Sequence, residues 1–229
     1  MKNSLLIVIL FTSFIAFAQD KTKTDWPDLK KYQMENATIA PPAKGEKRVV
    51  FMGDSITEFW KTADGDFFHD NNYIDRGIKG QTTSQMLARF HQDVIALHPA
   101  VVVILAGTND IAQNEGPVPM KDIYAKIVAM AQLAQENHIK VVLCSVLPVY
   151  DFPWNHGIQP AEKVVQLNNM ISAYCMKQNI PYVDYYTKMV DDRKGLRSIY
   201  TYDGVHPLKA GYKIMEPLVT KAIKEALYK

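Results

Sequence analysis

The feature that most constrains this chain is a regular alternation of short β-branched runs with longer amphipathic stretches. Residues 100–105 read Ala-Val-Val-Val-Ile-Leu, apolar at every position. A strand of that kind is covered on both faces, as in a parallel sheet, whereas an antiparallel sheet with one wet face alternates apolar and polar residues. Further strand candidates lie at 48–52, 73–76, 140–145 and 182–184. Between them, stretches at 84–97, 120–137, 160–178 and 208–228 repeat apolar residues at intervals of three and four, the spacing of a helix face. Ser84 stands where it can cap the first of these helices, and Pro160 suits the first turn of the third. The pattern predicts βα units and hence a three-layer α/β/α sandwich around a five-stranded parallel sheet.

A chain of 229 residues holds one substantial core and is short for two. With 48% hydrophobic and 22% charged residues it has the composition of an ordinary soluble domain, and no internal repeat is visible. The first residues stand apart. Lys2 precedes an apolar run from Leu5 to Phe17 that ends in Ala16-Phe17-Ala18, the pattern of a cleavable leader. That run is shorter than the roughly 20 apolar residues of a spanning helix, and no cysteine near the cut offers a lipid anchor. The expected organisation is a signal peptide at 1–18, an N-terminal strap at 19–47 in which Ala40-Pro41-Pro42 ends any helix, and one α/β domain at 48–229. The mature protein is expected in a periplasm or outside the cell, without a stable membrane anchor.

Loss of the leader removes only Lys2 among the charges and leaves 25 basic against 24 acidic residues. That balance excludes the basic stripe of a nucleic-acid binder. Cys144 closes an apolar run and Cys175 lies in an amphipathic pattern, so the pair reads as two buried thiols, and their spacing is not that of a metal site.

In parallel sheets, ligands bind outside the carboxyl ends of the strands. After the first strand comes Gly53-Asp54-Ser55, where a glycine permits a sharp turn and a serine opens the next element. Taken alone this is as much a helix cap as a nucleophile. A serine needs a base with an orienting carboxylate, and Asp203-Gly204-Val205-His206-Pro207 places Asp203 and His206 three apart across a turn. A metal reading of that pair lacks further ligands. His69, His91, His98 and His138 read as surface or loop residues, while His156 is placed to line the crevice. Gly80 after the second strand offers a backbone N–H, and Asn109 in Gly107-Thr108-Asn109-Asp110 offers a neutral side-chain donor, both suited to an oxyanion. Asp54 and Asp110 are assigned to shaping their turns.

Together these four blocks resemble the SGNH, or GDSL, hydrolase superfamily over roughly residues 49–227, with Ile56 in place of the leucine of the short name. The resemblance implies a flavodoxin-like sheet and an acyl-enzyme mechanism without metal or organic cofactor. Ser55 would be the nucleophile, His206 the general base and Asp203 its orienting partner. The Ser55 and Gly80 N–H groups and the Asn109 amide would hold the oxyanion.

The segment 148–157, Pro-Val-Tyr-Asp-Phe-Pro-Trp-Asn-His-Gly, carries three aromatics where a substrate loop is expected, with Trp154 and His156 as its candidate contacts. The favoured substrate is a short acyl ester, acetyl above all, of a carbohydrate. The alternatives are lysophospholipase, thioesterase or arylesterase activity of the same superfamily, a carbohydrate-binding protein on an inactive scaffold, and an acyltransferase.

Overall fold

The computed structural model describes residues 25–228, so the leader at 1–18 lies outside the described residues. The sheet has five parallel strands in the order β2-β1-β3-β4-β5, where β1 is Val49–Gly53, β2 Tyr73–Gly77, β3 Val101–Leu105, β4 Lys140–Cys144 and β5 Tyr182–Val183. Each expected run forms a strand, displaced at its ends by a residue or two. Successive residues of β1 serve opposite faces: Val50 and Met52 join one apolar cluster, Val49 and Phe51 the other. β1 and β3 are buried at all five positions, as a sheet covered on both sides requires.

The chain also forms α1 (Lys30–Thr38), α2 (Ser55–Ala63), α3 (Gly65–Asp70), α4 (Thr83–Asp93), α5 (Thr108–Ile111), α6 (Met120–Glu136), α7 (Pro160–Gln178), α8 (Tyr186–Met189) and α9 (Lys209–Tyr228). Side chains of α4, α6 and α7 fill the first cluster, and those of α2, α3 and α9 the second. In the second, Trp60 stacks between Phe67 and Tyr212 at centroid distances of 5.1 Å on either side. No helix among the described residues is long and apolar enough to cross a membrane.

Ser84 does not cap its helix. Thr82 does, in a reciprocal box with Gln85, and the helix begins at Thr83. The Thr82 hydroxyl comes first along the chain and finds a glutamine at the third helical position, which Ser84 would not. The helix also stops at Asp93, and 95–97 continue as a single 3₁₀ turn. Cys144 and Cys175 are both buried free thiols, and burial pushes each up to about 12.

Residues 25–47 run across the ends of α4 and β2. Tyr32 donates its hydroxyl to the Gly77 carbonyl, Asn36 donates to Asp93 at 2.7 Å, and the fully buried Arg76 donates to Asn36 at 2.9 Å.

Candidate active site

β1 delivers Asp54 and Ser55 to the carboxyl edge of the sheet. Asp54 caps α2 by accepting the Ile56 N–H at 2.9 Å, which leaves Ser55 as the first helical residue. A first-turn N–H has no partner within its own helix, so the Ser55 N–H is available to an anion at the helix start. The neighbouring strand must come very close here. A Cβ on Gly77 would fall 2.2 Å from the Glu58 nitrogen and 2.7 Å from the Asp54 carbonyl oxygen, so only glycine allows β2 to end against α2.

The turn before α9 brings the other two residues. Asp203 Oδ1 accepts the N–H groups of Val205 at 2.9 Å and His206 at 2.8 Å, which fixes the loop, while Oδ2 pairs with His206 Nδ1 at 2.6 Å. His206 Nε2 then stands 2.9 Å from Ser55 Oγ. Burial acts to raise the Asp203 carboxyl. Hydrogen bonds from the His206 ring and from the His206 and Val205 backbone outweigh it, so Asp203 titrates below its ordinary range. The imidazole is held between rings as well, with Phe59 at 5.2 Å and Tyr202 stacked at 6.1 Å.

Asn109 lies at the start of α5 with both ends of its amide fixed. Its Nδ2 donates to the Gln81 carbonyl at 3.0 Å, and its Oδ1 accepts from Asn114 at 2.8 Å. A primary amide has a second N–H, and Asn109 borders the same pocket as Ser55, Gly80 and His206. Gly80 sits in that wall at φ +78°, a conformation that L side chains avoid, with only Asn114 within 4 Å of a notional Cβ. Its backbone rather than lack of space demands glycine. Asp110 ties α5 to α4 by accepting from the Thr83 N–H at 2.8 Å and its hydroxyl at 2.6 Å, a turn-shaping contact.

The pocket has a volume of about 450 Å³ and gathers Ser55, Gly80, Asn109, Asp203, His206 and Trp154. His156 is not brought to it. Its Nδ1 pairs with Asp151 at 2.7 Å and the side chain is 73% exposed, because a local carboxylate captures it on the outside of the loop. Sequence reading missed Phe59, Tyr202 and Asn114. Asn114 binds Asn109 only because the chain turns back after α5, its N–H donating to the Asn109 carbonyl at 3.0 Å. Among the described residues no three His, Cys, Asp or Glu side chains form a group able to hold a metal ion.

Two buried carboxyls, Asp54 beside Ser55 and Asp75 on β2, lie well above the ordinary carboxylate range. Burial pushes Asp54 and Asp75 each up to about 7, against about 3.9 for an unfolded aspartate. A raised folded-state value means stability that is fully present below the unfolded value and lost as pH rises through about 7. Asp75→Asn keeps an oxygen to accept the Gly77 N–H, now bound at 2.7 Å. The variant is therefore expected to gain on the wild type between pH 4 and 8, by up to about 4 kcal/mol. Urea midpoints at the two pH values check it; a constant gap would show that Asp75 is ionised throughout.

A parallel sheet in this strand order, with serine, histidine and aspartate meeting at its carboxyl edge, has the layout of a hydrolase acting on esters. The sequence model of the GDSL-like Lipase/Acylhydrolase family matches residues 51–214, and the chain belongs to that family. The structure of a GDSL-like lipase from Bacteroides thetaiotaomicron is 51% identical and covers 88% of this chain and 99% of its own, with a TM-score of 0.86. A Bacteroides fragilis structure is 49% identical over 90% of this chain and all of its own, with a TM-score of 0.88. Esterase TesA of Pseudomonas aeruginosa is 25% identical over 142 residues, which span 62% of this chain and 64% of that relative's length.

Proposed function

We propose that this chain is an exported serine esterase that removes short acyl groups, acetyl foremost, from carbohydrate. The observation that carries the reading is the continuous hydrogen-bonded line from Ser55 Oγ to His206 Nε2 at 2.9 Å and from His206 Nδ1 to Asp203 at 2.6 Å. His206 takes the Ser55 proton as Oγ bonds to the ester carbonyl carbon, then returns it to the departing alcohol as the C–O bond breaks. Water repeats the two steps on the acyl-enzyme and releases the acid. The Ser55 and Gly80 N–H groups and the Asn109 amide stabilise the oxyanion in both halves, and each such donor is worth roughly 10²–10³ in rate.

The pocket wall supports a short acyl group. Phe59, Trp154 and Tyr202 supply its apolar surface, and among the described residues no aliphatic side chain lines it. Ser55, Lys79, Gly80, Asn109, Asn114, Asp203 and His206 make up the rest of the wall, so an acetyl methyl can lie against a ring with polar groups close around it. The leader pattern of residues 1–18 supports export.

A fluorophosphonate probe should label Ser55, with the modified peptide located by mass spectrometry, and nitrophenyl acetate should be cleaved faster than the octanoate. Turnover should fall toward acid, because a protonated His206 has no lone pair for the serine proton; activity undiminished in acid contradicts the assignment. A folded protein that neither labels nor turns over any ester defeats the reading altogether.

A further inference from the structure

A second pocket of about 730 Å³ opens beside the first, and Lys79, Gly80, Asn114 and Trp154 line both. Its outer wall comes from the N-terminal strap, through Asp25, Trp26 and Asp28. That wall is built in place. Gln85 donates to the Trp26 carbonyl at 3.0 Å, Gln81 donates to the Pro27 carbonyl at 2.7 Å, and the Trp26 indole N–H donates to Glu115 at 3.3 Å. Asp25 closes the turn by accepting the N–H groups of Leu29 at 2.8 Å and Lys30 at 3.0 Å.

Two indoles border this space, Trp26 at 40% and Trp154 at 44% exposure. The Trp154 ring is oriented by its N–H, which donates to Asn114 at 3.0 Å, and by a tilted contact with the buried Phe152 at 5.2 Å. Much of the remaining lining is carboxamide and carboxylate, including Gln113, Asn155 and Glu115.

The chemistry of that wall selects among occupants. An acyl chain would displace water from amides and acids without replacing their hydrogen bonds, a cost that apolar contact with two rings and Ile78 does not offset. A phosphate headgroup would meet Asp25, Asp28 and Glu115, with Lys79 as the one cation of the lining among the described residues. A neutral sugar fits both halves, its C–H face against indole and its hydroxyls toward amides and carboxylates, in a pocket within the usual range of roughly 300–1,000 Å³ for small ligands. We propose that strap residues 25–28 complete a subsite for the sugar that carries the ester, bordered by Trp26 and Trp154 and continuous with the Ser55 pocket. Asn114 spans the boundary: it accepts from Trp154 and donates to Asn109 Oδ1 at 2.8 Å and to the Gly80 carbonyl at 3.2 Å. A sugar seated on Trp154 therefore bears on the groups assigned to the oxyanion.

This inference rests on the esterase reading, and one experiment separates the two. Trp26→Ala and Trp26→Phe are prepared in the full protein and assayed on nitrophenyl acetate and on acetylated xylo-oligosaccharide. Trp26→Ala should lower kcat/KM on the oligosaccharide at least tenfold, chiefly through KM, and leave nitrophenyl acetate within twofold; Trp26→Phe should recover most of the loss. Deacetylated oligosaccharide should inhibit nitrophenyl acetate hydrolysis competitively in the wild type, and at least tenfold more weakly in Trp26→Ala. Equal losses on both substrates, with an unchanged melting temperature or not, assign Trp26 a structural role and overturn the subsite. So does an oligosaccharide that Trp26→Ala cleaves as well as the wild type, or a wild type that cleaves lysophosphatidylcholine in preference to it. No turnover of nitrophenyl acetate by the wild type overturns the esterase reading instead.

Discussion

Under the proposed mechanism, Asp203→Asn lowers kcat about 10⁴-fold while KM and the fold stay close to those of the wild type. The loss comes from the wrong tautomer. Asp203 Oδ2 faces His206 Nδ1 at 2.6 Å, so Nδ1 carries the proton and Nε2 presents its lone pair to Ser55 Oγ at 2.9 Å. An asparagine amide in that position donates where the carboxylate accepted. Nδ1 then becomes the acceptor and the proton moves to Nε2, where it faces a hydroxyl that must lose its own. The turn should survive, because the asparagine carbonyl oxygen can still accept the Val205 and His206 N–H groups that Oδ1 now holds at 2.9 and 2.8 Å. Steady-state kinetics with nitrophenyl acetate and a thermal melt are enough to read the result. A loss of less than tenfold would mean that Asp203 does not position His206, and a collapse of the melting temperature would mean that its main work is to hold the loop.

The parts of this molecule that are legible in the sequence are those written within a few consecutive residues. The run at 100–105 reports burial on both faces without any partner being known, and β3 forms there. Asp203 and His206 share one turn, so three residues of spacing suffice to couple them. Gly80 and Asn109 are visible because the ends of parallel strands share one edge of the sheet. What stays hidden depends on who meets whom. Trp154 and His156 lie two apart in one loop, yet one enters the pocket and the other turns to Asp151, a difference set by which side of the loop each occupies. Phe59 reaches His206 only through the pitch of α2. Trp26 is held in place by Gln85, 59 residues away, and by the grip of Gln81 on the neighbouring Pro27, and no local pattern announces either contact.

The same long-range wiring predicts the largest loss of stability. Arg89 on α4 is fully buried and spends its guanidinium on three separate parts of the site: Nη2 donates to the Gly53 carbonyl at 3.0 Å, Nε to Gln81 Oε1 at 2.6 Å, and Nη1 to Asp93 at 3.0 Å. Gly53 ends the strand that carries Ser55. Gln81 holds Asn109 through its carbonyl and the strap through its amide. Burial pulls Arg89 below its ordinary range against the opposing pull of Asp93, but a guanidinium stays protonated in proteins, so the ion pair is real at neutral pH. Arg89→Met retains a stem of similar length and removes the charge, leaving Asp93 buried opposite an apolar chain. Loss of one member of a buried pair costs about 3–5 kcal/mol, mostly from the charge left behind. Urea unfolding at neutral pH should show that loss. Arg89→Met/Asp93→Leu should then recover at least about 1 kcal/mol, since the stranded charge is gone. Activity on nitrophenyl acetate should stay low in both variants, because neither restores a donor to Gly53 or Gln81. A single variant that loses less than about 1 kcal/mol, or a double variant less stable than the single, would show that the pair is not what holds this part of the core together.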